Sequence, residues 1–489
     1  VLSGDKFIVT WSDETAHANR PGDDNNGWAV QAQMYNADGS VLGSQFQVNS
    51  YTSSTQYKPS GADLGSDGFV VTWQDDSQNS NSIYGQRYDT SGTAVGEEFQ
   101  VNTYTSGTQG RPSVTSLKDG GYVVTWHSND QDGDDYGVYA QRYNAGGSAV
   151  GGEFRINTTI GDDQYYPSIA SLDDGGFVVT WRDNNGATDS RGGSGIDVFG
   201  QRFDANSAKV GDEFLINADA DTGSQYEPSV TGLGNGNFVV TWRDDQGGSH
   251  DKNENDSTTG SGADIRAQIF TTTATDENGD VIPTPQVSGG DFRVNANTGN
   301  QTYPYHHQYE PSVASFDDGS FVVSYSSYYG DSGHSYAIMA QRFDASGTPV
   351  GDQIDVDTDY TSNHQRYSST TTLDDGKFIV TWYNEGGSDI RGQLFNADGS
   401  KLNNEFQINT YNSHDQAYPS VTPLDDGGFV VTWHSRYQDY SSTYGIYAQR
   451  FDADGNKGMA TALGDDLNSS FTFTGINDYA VLNLGLGTD

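Results

Sequence analysis

The chain has 489 residues, with 67 acidic and 24 basic side chains and a net charge of −43. Such a polyanionic surface argues against nucleic acid or an anionic membrane as a direct partner, and favours cations, cationic partners or a high-salt setting. There is no cysteine, which removes disulfides, thiol catalysis and zinc–thiolate sites, and no run of about 18 apolar residues that would insert into a membrane as a helix. Hydrophobic residues make up only 33% and glycines number 61, yet aromatics reach 12%. That composition suits many short strands packed by Tyr, Phe and Trp rather than a disordered chain, and no sustained i, i+3, i+4 apolar pattern predicts a helix.

One unit repeats along the chain. It is clearest as Asp425-Asp426-Gly427-Gly428-Phe429-Val430-Val431-Thr432-Trp433, a turn followed by a strand that closes on an aromatic residue. The closing aromatics are Trp11, Trp73, Trp126, Trp181, Trp242, Tyr325, Trp382 and Trp433. Seven copies are preceded by Gln-x-x-(Pro/Ser)-Ser, and the fourth position of that element always stands 14 residues before the aromatic, as from Pro59 to Trp73. After the aromatic comes a strand centred on Gln (Gln33, Gln86, Gln141, Gln201, Gln268, Gln341, Gln393 and Gln449). From that Gln to the next short strand the interval is 13 residues in six of seven units.

Each unit thus reads as four strands, a to d. The a–b and c–d connections have constant length, and their Asp and Gly residues supply hairpin turns. The b–c interval varies from 11 residues (Trp382 to Gln393) to 26 (Trp242 to Gln268). In an antiparallel meander the variable b–c and d–a loops share one end, where a rigid scaffold carries function. In chain order, the first unit lacks strand a, and units two to four are regular. Unit five has a long Gly/Ser/Asn-rich b–c loop and a c–d hairpin extended by residues 272–290. Unit six follows an aromatic, His-rich d–a loop and closes on Tyr325, and units seven and eight are regular. After Gly455 the pattern stops.

Strand b is apolar on both faces: Phe69, Val71 and Trp73 on one, Val70 and Thr72 on the other. Eight such units predict an all-β fold, an eight-bladed β-propeller spanning residues 1–457, with blades stacked face to face. Units of about 50 residues are too long for a solenoid coil and too short for a sandwich. The ragged first and last units predict closure by the chain termini. Residues 458–489 form a C-terminal tail with two weaker strand candidates, Ser470-Phe471-Thr472-Phe473 and Ala480-Val481-Leu482-Asn483-Leu484. Val1 falls inside a repeat, so the chain reads as a piece of a longer protein.

The third unit, Asp119–Trp126, Tyr136–Tyr143 and Gly151–Thr158, resembles repeats of large secreted bacterial proteins of the RTX, or hemolysin-type calcium-binding, group. The resemblance covers about residues 1–457, and Gly485-Leu486-Gly487-Thr488-Asp489 looks like the start of that group's Gly-x-Gly-x-Asp repeat. It implies an adhesin-like exoprotein, exported by type I secretion to the cell surface or the extracellular space.

Two loops have the spacing of a hard-cation site: Asp130, Asp132 and Asp134, and Asp276, Asn278 and Asp280. Short oxygen ligands at alternate positions of a Gly-containing loop converge on Ca²⁺, although neither loop is an EF-hand and the plain alternative is a solvated turn. Tyr303, Tyr305, His306, His307, Tyr328 and Tyr329 fall in loops of the variable end, where flat aromatic faces beside polar donors suit a sugar ring. The repeated strand-c Gln reads as a buried amide bridging strands, and the Arg that follows it in five units reads as a blade-edge partner for Asp.

No nucleophile motif, P-loop or HExxH is present. Residues 171–177 approach the Asp-box of sialidase propellers but are one residue short, and no Arg cluster with a Tyr/Glu pair stands out in the sequence. The expectation is a secreted, non-catalytic, Ca²⁺-binding propeller of a bacterial surface or matrix protein. Its partner would be a glycan or a cell-surface or matrix protein, held at the b–c/d–a face. The alternatives are a polysaccharide-active lyase or glycosidase using the same face, and a structural spacer or filament subunit.

Overall fold

The computed structural model describes residue 2 and residues 6–14, 28–51, 54–76, 81–161, 163–184, 195–217, 223–245, 263–275, 281–285, 290–295, 307–331, 334–357, 364–436 and 444–457. The protein is an all-β, eight-bladed propeller of antiparallel sheets, as the repeat predicts. It divides into two compact units. Val1–Ile156 with Ile408–Asp489 carries blades 1, 2, 3 and 8, and Asn157–Gln407 carries blades 4 to 7.

Within the first unit, strand b of blade 2 (Phe69–Asp75) buries all seven of its residues. Phe69, Val71 and Trp73 pack with Ile8, Val30, Ala32 and Met34 of blade 1. Val70 faces the other way and packs with Val114, Tyr122 and Val124 of blade 3. Both faces of the sheet are therefore interior, which is why the strand reads as a continuous apolar run. Each buried Val, Leu or Phe contributes about 1.5–3 kcal/mol. The second unit repeats the arrangement: Val178 and Val198 of blade 4 meet Phe238, Val240 and Trp242 of blade 5.

The turns close as the sequence implies. The Asp119 carboxylate accepts the Gly121 N–H at 2.9 Å and pairs with Arg142 of strand c at 2.5 Å. The same pairing joins Asp174 to Arg202 and Asp426 to Arg450. Arg87 departs from the pattern and donates to the Ala145 carbonyl at 2.8 Å. In strand c, Gln86 sits at a register shift between Gly85 and Arg87, and its amide donates to the Arg87 carbonyl at 2.9 Å and the Val95 carbonyl at 3.4 Å. All eight strand-c glutamines donate to the carbonyl of the residue that follows, at 2.8–3.0 Å. This is the strand-bridging amide expected from the repeat.

Blade 5 shows the extended hairpin. Strand c runs over Ala263–Thr275 and pairs first with Val281–Pro285, then with the short strand d, Phe292–Arg293. Among the described residues, blades 1 and 8 are separate three-stranded sheets. They meet through one apolar cluster: Phe7, Val9, Trp11 and Tyr35 with Leu424, Val430 and Ile446. The tail from residue 458, where the sequence places a closing strand, lies outside the described residues.

A second polar device joins consecutive blades. The Asn that ends strand d accepts a backbone N–H from its own strand c and donates to the first Gln of the next strand a. Asn49 accepts Val30 N–H at 2.8 Å and donates to Gln56 at 3.0 Å, and Asn217 donates to Gln225 at 3.1 Å. Blade 6 has Asp357 at this position, 1% exposed. Asp357 accepts Ile338 N–H at 2.7 Å, but among the described residues its second oxygen has no hydrogen-bond partner. The oxygen of Gln365 takes the Trp382 indole N–H at 2.8 Å instead. Burial, with Asp355 and Glu405 adding repulsion, pushes the Asp357 carboxyl up to about 7.

Because this folded value lies above that of the unfolded chain, the destabilisation is absent in acid, grows between about pH 4 and pH 7, and stays at its full size above. Asp357→Asn is therefore expected to stabilise the protein by about 1–3 kcal/mol at pH 8 and by much less at pH 4. Urea unfolding of the two proteins at both pH values checks this, since the difference between them cancels the pH dependence common to both. An equal difference at the two pH values counts against it.

Candidate functional site

Strand a carries a repeated irregularity at the end where the d–a loop enters and the b–c loop leaves. In every described copy the register of a against b shifts after the residue that follows the first Gln, as between Tyr165 and Ser168. The next residue has positive φ: Lys58, Arg111, Tyr166, Glu227, Glu310, Tyr367 and Tyr418 all lie between 53° and 59°. None is glycine, and such a conformation is strained by about 1–3 kcal/mol in an ordinary residue. Strain repeated at one structural position, and occupied by Lys, Arg, Glu and Tyr, marks this end of strand a as the candidate site.

The bulge aims two strand-a side chains toward the residue just after the closing aromatic of strand b. In blade 4, Tyr165 is the register partner of Arg182, and in blade 5, Tyr226 is the partner of Arg243. In the unit of residues 157–407 these pairs form a row. The Arg182 guanidinium stands 5.1, 4.9 and 4.9 Å from the rings of Tyr165, Tyr166 and Tyr226. Arg243 stands 4.5 Å from Tyr226 and 5.3 Å from Tyr309. The Tyr309 ring lies 5.9 Å from Tyr336, and Arg366 stands 4.8 Å from both Tyr336 and Tyr367.

Two carboxylates pin the row to the bulges. Glu227 accepts the backbone N–H of Glu310 at 3.0 Å and pairs with Arg243 at 3.4 Å. Glu310 accepts Tyr367 N–H at 2.8 Å and Ser326 Oγ–H at 2.9 Å, and pairs with Arg366 at 2.9 Å. Burial raises the Glu310 carboxyl above the usual range, opposed by Arg366 and by its hydrogen bonds. Burial likewise raises the phenols of Tyr309 and Tyr336.

The unit with blades 1, 2, 3 and 8 builds its own version. Lys58 lies 4.7 Å from the Tyr57 ring, and burial, with Arg111 nearby, pulls its ammonium down to about 8. The Gln74 amide donates to the Tyr57 hydroxyl at 2.7 Å and accepts Arg111 N–H at 3.2 Å. Burial lowers His127 to about 3 and His434 to about 4. Both imidazoles are therefore neutral at neutral pH.

Of the residues singled out in the sequence, His307 and Tyr328 do come together, with ring centroids 6.3 Å apart. His307 also stacks on Tyr309 at 6.0 Å and accepts Ala263 N–H at 3.2 Å, which ties it to the Arg/Tyr row. Tyr329 lies in strand b of blade 6, Phe321–Asp331, and its side chain is outside the described residues. Tyr303, Tyr305, His306, Asp276, Asn278 and Asp280 also lie outside them.

Asp130, Asp132 and Asp134 share one loop of blade 3. Asp132 is turned inward, with a side chain 3% exposed and Arg155 at 3.6 Å, and Asp134 caps the next backbone N–H at 3.0 Å. Among the described residues no group of three His, Asp or Glu side chains is arranged to hold a metal ion.

The sequence showed no Arg cluster with a Tyr/Glu pair, but the fold assembles one. Arg182, Arg243 and Arg366, with Glu227, Glu310 and the tyrosines, are brought together from four blades. The signal was present in the frame itself. Apart from Tyr336 at the start of strand c, the row resides at the two free positions inside Gln-x-x-(Pro/Ser)-Ser and the one after the closing aromatic.

No protein-family model matches the chain, and neither does any curated relative. Solved structures are similar in fold. A polysaccharide lyase, Uly1, is 10% identical, with 88% of this chain and 95% of that chain covered and a TM-score of 0.46. The α-L-arabinanase of Penicillium chrysogenum, solved with arabinobiose, is 15% identical over 70% of this chain and 92% of that chain, with a TM-score of 0.37. A Hadza microbial sialidase, Hz136, is 10% identical over 88% and 87%, with a TM-score of 0.36.

The bonding of Glu310 gives a stability test. Glu310→Ala leaves Arg366 without its partner and frees the Tyr367 N–H, and is expected to cost about 1–3 kcal/mol. Glu310→Gln keeps acceptors for Tyr367 and Ser326 and should cost less than the alanine variant. Denaturant midpoints of the two variants check the order.

Proposed function

We propose that the b–c/d–a face of the unit formed by residues 157–407 binds a glycan, and that the Tyr/Arg row is its contact surface. The observation that carries this reading is the row itself: half-buried tyrosine rings alternating with guanidinium groups on a strained, hydrogen-bonded backbone. Tyrosine faces stack on the apolar face of a sugar, and guanidinium and phenol groups donate to its hydroxyls and acidic groups. A site built on strands rather than on loops holds these groups in place before the ligand arrives, which lowers the entropic cost of binding.

In this proposal the chain is a secreted part of a bacterial surface or matrix protein, in keeping with its charge and with its resemblance to RTX exoproteins. Ca²⁺ enters the proposal through loop spacing alone. Thermal unfolding with excess Ca²⁺ and with chelator, at constant ionic strength, tests it. A Ca²⁺-specific rise is expected, about 2.7 kcal/mol at 100 times the dissociation constant, and no rise removes calcium from the reading.

A second reading, a polysaccharide-active enzyme, is favoured by one observation: the Glu310 carboxyl, raised by burial, lies in the row beside Glu227. One experiment addresses both readings. The protein is screened on a glycan array and the hits are titrated calorimetrically. Tyr226→Ala and Tyr309→Ala are each expected to weaken binding about tenfold or more, the usual loss for a buried aromatic anchor. The bound glycan is then incubated with the protein and with Glu310→Gln. Product formed by the first and not by the second establishes the enzyme. Binding that is indifferent to Tyr226 and Tyr309, or no binding at all, removes the glycan reading.

A further inference from the structure

Arg182 differs from the other two arginines of the row. Arg243 has Glu227 at 3.4 Å and Arg366 has Glu310 at 2.9 Å. Arg182 pairs with no carboxylate among the described residues. Its Nε, like those of Arg243 and Arg366, is buried without a hydrogen-bond partner among the described residues, and its guanidinium is flanked by the rings of Tyr165, Tyr166 and Tyr226 at 4.9–5.1 Å. In a chain with 67 acidic side chains, a cation that is half withdrawn from water and, among the described residues, is flanked by aromatic rings without a carboxylate is poised for an anion from outside.

The adjacent carboxylate does not fill that role. Asp183 is 1% exposed and its Oδ1 accepts the Gln164 amide at 3.4 Å. Of the three tyrosines beside Arg182, Tyr166 is 36% exposed and offers its ring to solvent.

We infer that Arg182, with Tyr165, Tyr166 and Tyr226, forms a subsite for the carboxylate of an acidic sugar, so that the ligand of this face is a uronate-type glycan. The inference rests on the glycan reading above and narrows it. A guanidinium presents two parallel N–H donors that match a planar carboxylate. The rings beside it cover the sugar face to which that carboxylate is attached, and they exclude water, which strengthens the ion pair. Selectivity must be local, because a protein of net charge −43 repels a polyanion at long range. Neutral glycans would leave Arg182 desolvated and unpaired when they cover the row.

The test is calorimetric titration of the full chain with five probes: an oligogalacturonate, an oligoalginate, the carboxyl-reduced form of each, and a sulfated neutral oligosaccharide of equal length. At least one of the two uronate oligomers is expected to bind tenfold or more tightly than its own carboxyl-reduced form, which keeps the same rings and linkages. Arg182→Met should lose that preference and Arg182→Lys should retain part of it.

The wild-type comparison needs no variant, so it stands even where Arg182→Met fails to fold, and thermal midpoints of both variants separate folding from binding. Equal binding of uronate and reduced forms overturns the carboxylate subsite and leaves glycan binding in place. So does a preference that survives in a folded Arg182→Met. Tighter binding of the sulfated oligosaccharide than of either uronate also overturns it. Failure to bind any of these probes, together with an empty glycan array, removes the glycan reading and this inference with it.

Discussion

Strand b has no wet face, and the blades depend on that fact. Phe69, Val71 and Trp73 press on one neighbour while Val70 presses on the other. A sheet with two apolar faces is insoluble alone and stable only between two others. This explains why the unit recurs with so little change at its centre and why its closing aromatic stays fully buried even where Tyr325 replaces Trp. Polar groups inside such a stack must be paired. The strand-c Gln pairs the carbonyls at the c–d register shift, and the Asn ending strand d ties one blade to the Gln of the next. Asp357 shows how narrow that requirement is. One oxygen in place of an amide leaves an acceptor without a donor and makes the folded state sensitive to pH.

The same stacking positions the candidate site. Because strand b cannot move, the residue after its closing aromatic is held against the bulge of strand a. The bulge in turn is held by side chains from a neighbouring blade, as Glu310 holds Tyr367 and Glu227 holds Glu310. At four of the seven strained positions, Lys58, Arg111, Glu310 and Tyr367, the backbone N–H is held by a side chain of the preceding blade. The row of tyrosines and arginines is therefore part of the rigid frame rather than an ornament of the loops, and its geometry does not depend on loop length.

Charge is divided in an uneven way. The exposed surface is dominated by Asp, much of it committed to turns: the Asp89 and Asp344 carboxylates are lowered mainly by bonds to Ser91 and Ser346. The arginines of the row are instead placed against tyrosine rings, and Arg243 and Arg366 also pair with Glu227 and Glu310. An acidic protein with an arginine-lined face keeps bulk polyanions away and leaves recognition to contact at short range.

The repeat, the four-strand unit, the end that carries variable loops and the all-β propeller were legible in the sequence, because periodicity, turn residues and two-faced apolar strands are local properties. So were the bridging role of the strand-c Gln and the Asp–Arg pairing at the turns. The Arg/Glu/Tyr cluster was not. Its members sit in four blades, at positions that look free within a constant frame, and only the register of strand a against strand b makes Tyr165 face Arg182 and Tyr226 face Arg243. Nor did spacing show that Asp132 turns inward to Arg155 while Asp130 and Asp134 stay in the loop. Local sequence determined which strands form and how they turn. Tertiary packing decided which side chains meet across blades, because those contacts depend on the bulge and on the stacking of sheets, which no single repeat contains.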